Sequence, residues 1–161
     1  MIDGAILAQA AALLERCRTA GVRVATAESL TGGLIAATLT AIDGSSAVLD
    51  RGFVTYSNAA KHEMLGVRLA MLAEHGAVSE AVARAMAEGA LARSPAQLAV
   101  AVTGLAGPGG GTAEKPVGLV WLGCARTGQP TIAARQVFAG DRAAVRRATV
   151  VAALAMLGAR M

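Results

Sequence analysis

Residues 98–112 read LAVAVTGLAGPGGGT. Leu98 to Thr103 carries only apolar or β-branched residues and no charge, the pattern of a strand covered on both faces. Gly104 to Thr112 must be a loop, because Gly107 through Gly111 is an unbroken run of Gly and Pro. A buried strand running straight into a glycine loop is how open α/β sheets present ligand sites, beyond the carboxyl ends of their strands. The strand needs helices on both sides, and the flanking sequence supplies them.

Upstream, Ser79 is an expected N-cap, and Val82, Met86, Ala90 and Leu91 mark a helix that stops before Pro95. His75-Gly76 breaks the chain before it. Arg51 to Ser57 (RGFVTYS) reads as a strand, after which Asn58 is expected to cap a short helix. Further back, Ile6, Leu7, Ala10, Leu13, Leu14 and Cys17 have helical spacing, and Gly21 separates that helix from an extended run, Val22 to Ala27. Ser29 and Thr31 are expected to open a second helix through Leu39, closed by Asp43-Gly44-Ser45-Ser46. Downstream, Val117 to Cys124 and Thr131 to Phe138 form an expected antiparallel hairpin about Gly128, and Asp141 caps a last helix to about Leu157. The pattern predicts a single-domain three-layer α/β/α sandwich with a mixed sheet over residues 1–161.

Composition agrees with that fold and narrows the function. Of 161 residues 55% are hydrophobic but only 2% aromatic, so the core is Ala, Val and Leu, suited to helices packed close on a sheet. Cys17 and Cys124 lie far apart outside any CxxC pattern, which disfavours a disulfide framework or a zinc site. A net charge of +4 favours anionic ligands, yet there is no lysine-rich tract and almost no aromatic surface for stacking bases, so nucleic acid is not an expected partner. No apolar run is long enough to span a membrane and the N-terminus lacks a basic signal-peptide region, so a cytoplasmic location is expected. So alanine-rich a chain has apolar surface to bury, and a homo-oligomer such as a dimer is expected.

Three strand ends carry polar residues: Glu28-Ser29, Tyr56-Ser57-Asn58 and Thr103-Gly104. Ser29, followed by Leu30-Thr31-Gly32-Gly33, is either a helix cap or a nucleophile beside backbone N–H groups that can hold an oxyanion. Lys61 sits near the start of a helix, where a cation opposes the macrodipole; a lowered pKa would let its amine take a serine proton. An exposed surface lysine is the ordinary alternative. Tyr56 and Thr103 can orient that amine or bind substrate, or simply pack. The loop that holds Gly107, Gly109 and Gly110 lacks the spacing of a P-loop but suits a backbone lying close over a pocket. Arg142 is placed to bind a substrate anion or to pair with a carboxylate, and Arg146 and Arg147 are expected on a solvated helix face.

These stretches together resemble one family. Ala27-Glu28-Ser29-Leu30-Thr31-Gly32-Gly33, Gly52 to Asn58 with Lys61, Gly76-Ala77-Val78-Ser79, Thr103 to Thr112, Lys115-Pro116-Val117-Gly118, and Phe138 with Gly140-Asp141-Arg142 occur in order over nearly the whole chain. They are similar to the C-terminal domain of the competence- and damage-inducible CinA proteins, a family that includes stand-alone nicotinamide-nucleotide amidases. Leu105 stands where isoleucine is more familiar, a conservative difference. Many relatives carry a further N-terminal domain resembling molybdopterin-binding proteins, which this chain is expected to lack.

The resemblance implies hydrolysis of the carboxamide of nicotinamide mononucleotide to nicotinic acid mononucleotide and ammonia, with no metal or organic cofactor. It puts the nucleophile at Ser29 and the base at Lys61, with Tyr56, Thr103 and Arg142 in support. N–H groups of Thr31, Gly32 and Gly33 would then hold the oxyanion, and Gly107, Gly109, Gly110 and Arg142 the ribose phosphate. Two rivals stand beside this reading. A regulatory module would bind pyridine nucleotides without turnover, and a serine hydrolase for another small amide or ester would be indifferent to the phosphate.

Overall fold

A computed structural model describes residues 1–161. Asp3 accepts hydrogen bonds from the Ala5 and Ile6 N–H groups to start α1 (Gly4–Ala20), and Gly21, left-handed at φ 66°, ends it. There follow β1 (Val24–Glu28), α2 (Leu34–Thr40), β2 (Leu49–Val54), α3 (Asn58–Leu65), α4 (Leu69–His75) and α5 (Glu80–Ala92). The chain continues through β3 (Leu98–Gly104), β4 (Leu119–Arg126), β5 (Gln129–Val137) and α6 (Arg142–Ala159). Ser79 caps α5 and Asp141 caps α6 through their side chains, as their sequence positions predict.

The five strands form one mixed sheet in the order β2-β1-β3-β4-β5. β1 runs parallel to both β2 and β3, while β4 and β5 are the antiparallel hairpin. Helices cover both faces, so the architecture is the three-layer α/β/α sandwich with the expected mixed sheet. Val24, Val100, Val102, Val120 and Leu122 face a core shared with α1, α2 and α6. The alternate residues Ala25, Ala27, Ala99 and Ala101 face α5 and its neighbours. The period of two thus separates a Val/Leu face from an alanine face, and the alanine face lets α5 lie close to the strands. No helix is long and apolar enough to cross a membrane.

Gly123 shows how close that approach is, since an added Cβ would run into the backbone of Ala83 on α5. Neither backbone can yield without moving a whole element. Gly123→Ala is therefore expected to cost roughly 2 kcal/mol of stability, read as a lower denaturant midpoint at unchanged slope.

Three local expectations need correction. The second helix begins at Leu34, not at Ser29 or Thr31, because Gly32 (φ 57°) and Gly33 (φ 102°) take left-handed conformations that no helix continues through. Ser57, not Asn58, caps α3, accepting from the Ala60 N–H at 3.0 Å. α4 was not anticipated; only one of its residues, Leu72, is fully buried, too weak a pattern to read from sequence.

Candidate active site

Parallel register aligns the ends of three strands, since Glu28 stands opposite both Val54 and Val102. The next residues extend the ladder by one step each: Ser29 N–H donates to Val102 O at 3.1 Å and Thr55 N–H to Glu28 O at 2.9 Å. Ser29 is thereby fixed between β2 and β3, at the mouth of the sheet.

Lys61 reaches the same point from α3. Its Nζ lies 3.1 Å from Ser29 Oγ, 2.8 Å from Thr55 O and 3.5 Å from Tyr56 O. The side chain is 1% exposed, and none of the ion pairs in the protein includes it. Burial without a counter-charge disfavours the ammonium and pushes the amine down to about 8. The expected direction is therefore found, but its cause is desolvation rather than the helix dipole. A neutral amine has two hydrogens and one lone pair. If the hydrogens go to the Thr55 and Tyr56 carbonyls, the lone pair is left for the Ser29 hydroxyl.

Neither Ser29 nor Thr31 caps α2. That role falls to Glu28, whose buried carboxyl accepts from Ile35 N–H at 2.8 Å and Ala36 N–H at 3.1 Å. Ser29 is thus left with the lysine as its only side-chain partner. In the turn that follows, Gly32 N–H donates to Ser29 O, whereas the N–H groups of Leu30, Thr31 and Gly33 meet no acceptor in the protein.

A cavity of about 260 Å³ opens beside this pair, lined by Ser29, Leu30, Tyr56, Asn58, Lys61, Ala77, Val78, Thr103, the stretch Gly104 to Gly107, Gly109 and Arg142. It gathers Ser29, Lys61, Tyr56, Thr103, Gly107, Gly109 and Arg142 from the sequence shortlist. Thr31, Gly32, Gly33 and Gly110 lie outside its wall.

Thr103 Oγ1 donates to Ala77 O at 2.8 Å and so holds the α4–α5 connection against the strand end. Arg142 pairs with no carboxylate. One of its terminal nitrogens donates to Gly107 O at 2.8 Å and the other lies 3.2 Å from Tyr56 Oη, which ties the glycine loop to the β2–α3 corner. Arg146 corrects another expectation. It is half-buried and donates from Nε to Leu30 O at 3.0 Å and from a terminal nitrogen to Thr31 O at 3.1 Å. Its position one helical turn after Arg142 was the available signal, since residues four apart share a face. Arg147 does stay on the surface, where it pairs with Asp3.

Known proteins resemble this chain in sequence and in fold. A family model described as the CinA C-terminal domain matches residues 7–161. The nicotinamide-nucleotide amidohydrolase PncC of Escherichia coli K12 is 48% identical over 157 residues, which cover 98% of this chain and 95% of that protein. The protein of the same name from Enterobacter agglomerans is 57% identical over 131 residues, 81% of this chain and 80% of that one. The crystal structure of the competence/damage inducible protein CihA from Agrobacterium tumefaciens superimposes with a TM-score of 0.96 at 51% identity, covering 99% of this chain and 97% of the other. Matched from near its first residue to its last, and in fold as in sequence, this chain belongs to the CinA C-terminal domain family.

Proposed function

We propose that this protein hydrolyses the carboxamide of nicotinamide mononucleotide to nicotinic acid mononucleotide and ammonia, with Ser29 as nucleophile and Lys61 as general base. The observation that carries the mechanism is the 3.1 Å contact between Ser29 Oγ and an unpaired buried amine at a cavity wall. The near full-length likeness to proteins named for this reaction supports the substrate.

In the acylation half, the Lys61 amine takes the Ser29 proton as Oγ attacks the carboxamide carbon. The tetrahedral intermediate collapses when the Lys61 ammonium returns that proton to the amide nitrogen, and ammonia leaves. In the second half Lys61 deprotonates a water, which attacks the ester carbon; Oγ then recovers the proton and the carboxylate product departs. At about 8 the amine is poised for both directions of transfer near neutral pH.

With the carboxamide at Ser29, the ribose phosphate would lie toward the exposed rim, where Tyr56 and Arg142 stand. Arg142 keeps guanidinium N–H groups beyond the two it uses on Gly107 O and Tyr56 Oη. Arg142→Ala is expected to raise KM for the mononucleotide roughly 10- to 100-fold, as befits a lost charged hydrogen bond. The same change should leave the phosphate-free nucleoside nearly unaffected, so the ratio of the two KM values measures the effect.

The test of the function is ammonia release from nicotinamide mononucleotide by the purified protein, beside Ser29→Ala and Lys61→Met. Release by the parent that collapses in both variants supports the reading. Saturable binding without release would instead favour a regulatory module.

A further inference from the structure

Arg146 has no role in the mechanism above, yet it is bonded to the turn that carries the nucleophile. A trans peptide unit points its N–H opposite to its C=O, so whatever holds a carbonyl also aims the amide behind it. Two chains of such units lead from the Arg146 guanidinium to unpaired donors. In the first, Nε donates to Leu30 O, and the other end of that unit is the free Thr31 N–H. In the second, a terminal nitrogen donates to Thr31 O; the same unit's Gly32 N–H donates to Ser29 O at 3.1 Å; and that unit ends in the free Leu30 N–H. Leu30 follows the nucleophile and lines the cavity.

No carboxylate neutralises Arg146. The guanidinium lies against the turn at Gly32, where an added Cβ would come within 3.9 Å of it. A cation on a carbonyl polarises the peptide and strengthens the donor at its far end, and hydrogen bonds in series transmit that effect. We infer that Arg146 is the positioning residue of the oxyanion site: through these two peptide chains it fixes the turn so that the Leu30 N–H, the free donor at the cavity wall, is oriented and polarised toward the tetrahedral intermediate on Ser29. This moves the donor from the expected Thr31 to Gly33 set, which lies outside that wall and in which Gly32 N–H is already taken by Ser29 O.

The inference rests on the serine amidase reading, and its test keeps the two apart. The wild-type protein, Arg146→Met and Arg146→Lys are compared for amide turnover, for affinity toward pyridine-3-boronic acid, which forms a tetrahedral adduct with a serine, and for affinity toward the carboxylate product. In Arg146→Met, kcat should fall roughly 30- to 100-fold, somewhat less than for outright loss of an oxyanion donor. Boronate affinity should fall in proportion, while KM, product affinity and the bend of the pH profile near 8 stay within about threefold of wild type. Arg146→Lys, able to hold one carbonyl, should fall between. If Arg146 served the fold alone, KM, product binding and thermal stability would shift with kcat. That pattern, or an Arg146→Met protein keeping kcat and boronate affinity within about threefold, overturns the assignment and leaves the amidase standing. A wild-type protein that neither turns over the amide nor binds the boronate overturns both.

Discussion

Lys61→Met is expected to lower amide hydrolysis by at least roughly 10³-fold and, at neutral pH, to make the fold more stable. The loss follows from removing the only base within reach of Ser29 Oγ. The gain follows from the cost of a buried amine. Its folded pKa is about 8, against an ordinary value of 10.5, so below pH 8 both states hold the proton and the folded state bears the full penalty. Between pH 8 and 10.5 the unfolded chain keeps the proton that the folded one has lost, and wild-type stability rises with pH. The shift amounts to about 1–3 kcal/mol once residual solvent screening is allowed for. Methionine fills nearly the same volume without the charge but leaves Thr55 O without its side-chain donor, which takes back part of the gain. Denaturant titrations at pH 7 and pH 10 should show the variant more stable at the lower pH and the gap smaller at the higher.

Ser29→Ala is expected to abolish turnover by a similar or larger factor and to remove a covalent intermediate. Wild-type protein quenched in acid during turnover should carry the nicotinoyl mononucleotide as an ester on Ser29, visible as a mass increment on the peptide containing it. The alanine variant should show no increment at any time point, while still binding product, because the cavity wall loses one oxygen and no packing. An increment that persists in Ser29→Ala would move the nucleophile to another residue.

Much of this was legible in the sequence because the signals were strong and local. Leu98 to Thr103 has one reading only, and it places the glycine loop at a strand end. Parallel register then does the rest, since strands that end together bring Ser29, Tyr56 and Thr103 to one mouth. The side-chain partners were less legible. Ser29 and Thr31 look like caps because short polar residues before a helix usually are; that Glu28 reaches the helix instead depends on two glycines in left-handed conformations. Lys61 gave no local sign of its burial: of α3 only Lys61 and Leu65 are buried, a single turn of pattern. Arg146 is bonded to residues more than a hundred positions away, and no periodicity encodes that.

The most direct test of a neutral Lys61 activating Ser29 is the pH dependence of kcat/KM for nicotinamide mononucleotide between pH 6 and 10. Deprotonation of the amine predicts a rise of one decade per pH unit at the acid end, a bend near pH 8 and a plateau above it. A profile flat from pH 6 to 10 would contradict it, and Lys61 would then be a structural lysine beside a serine activated by some other group.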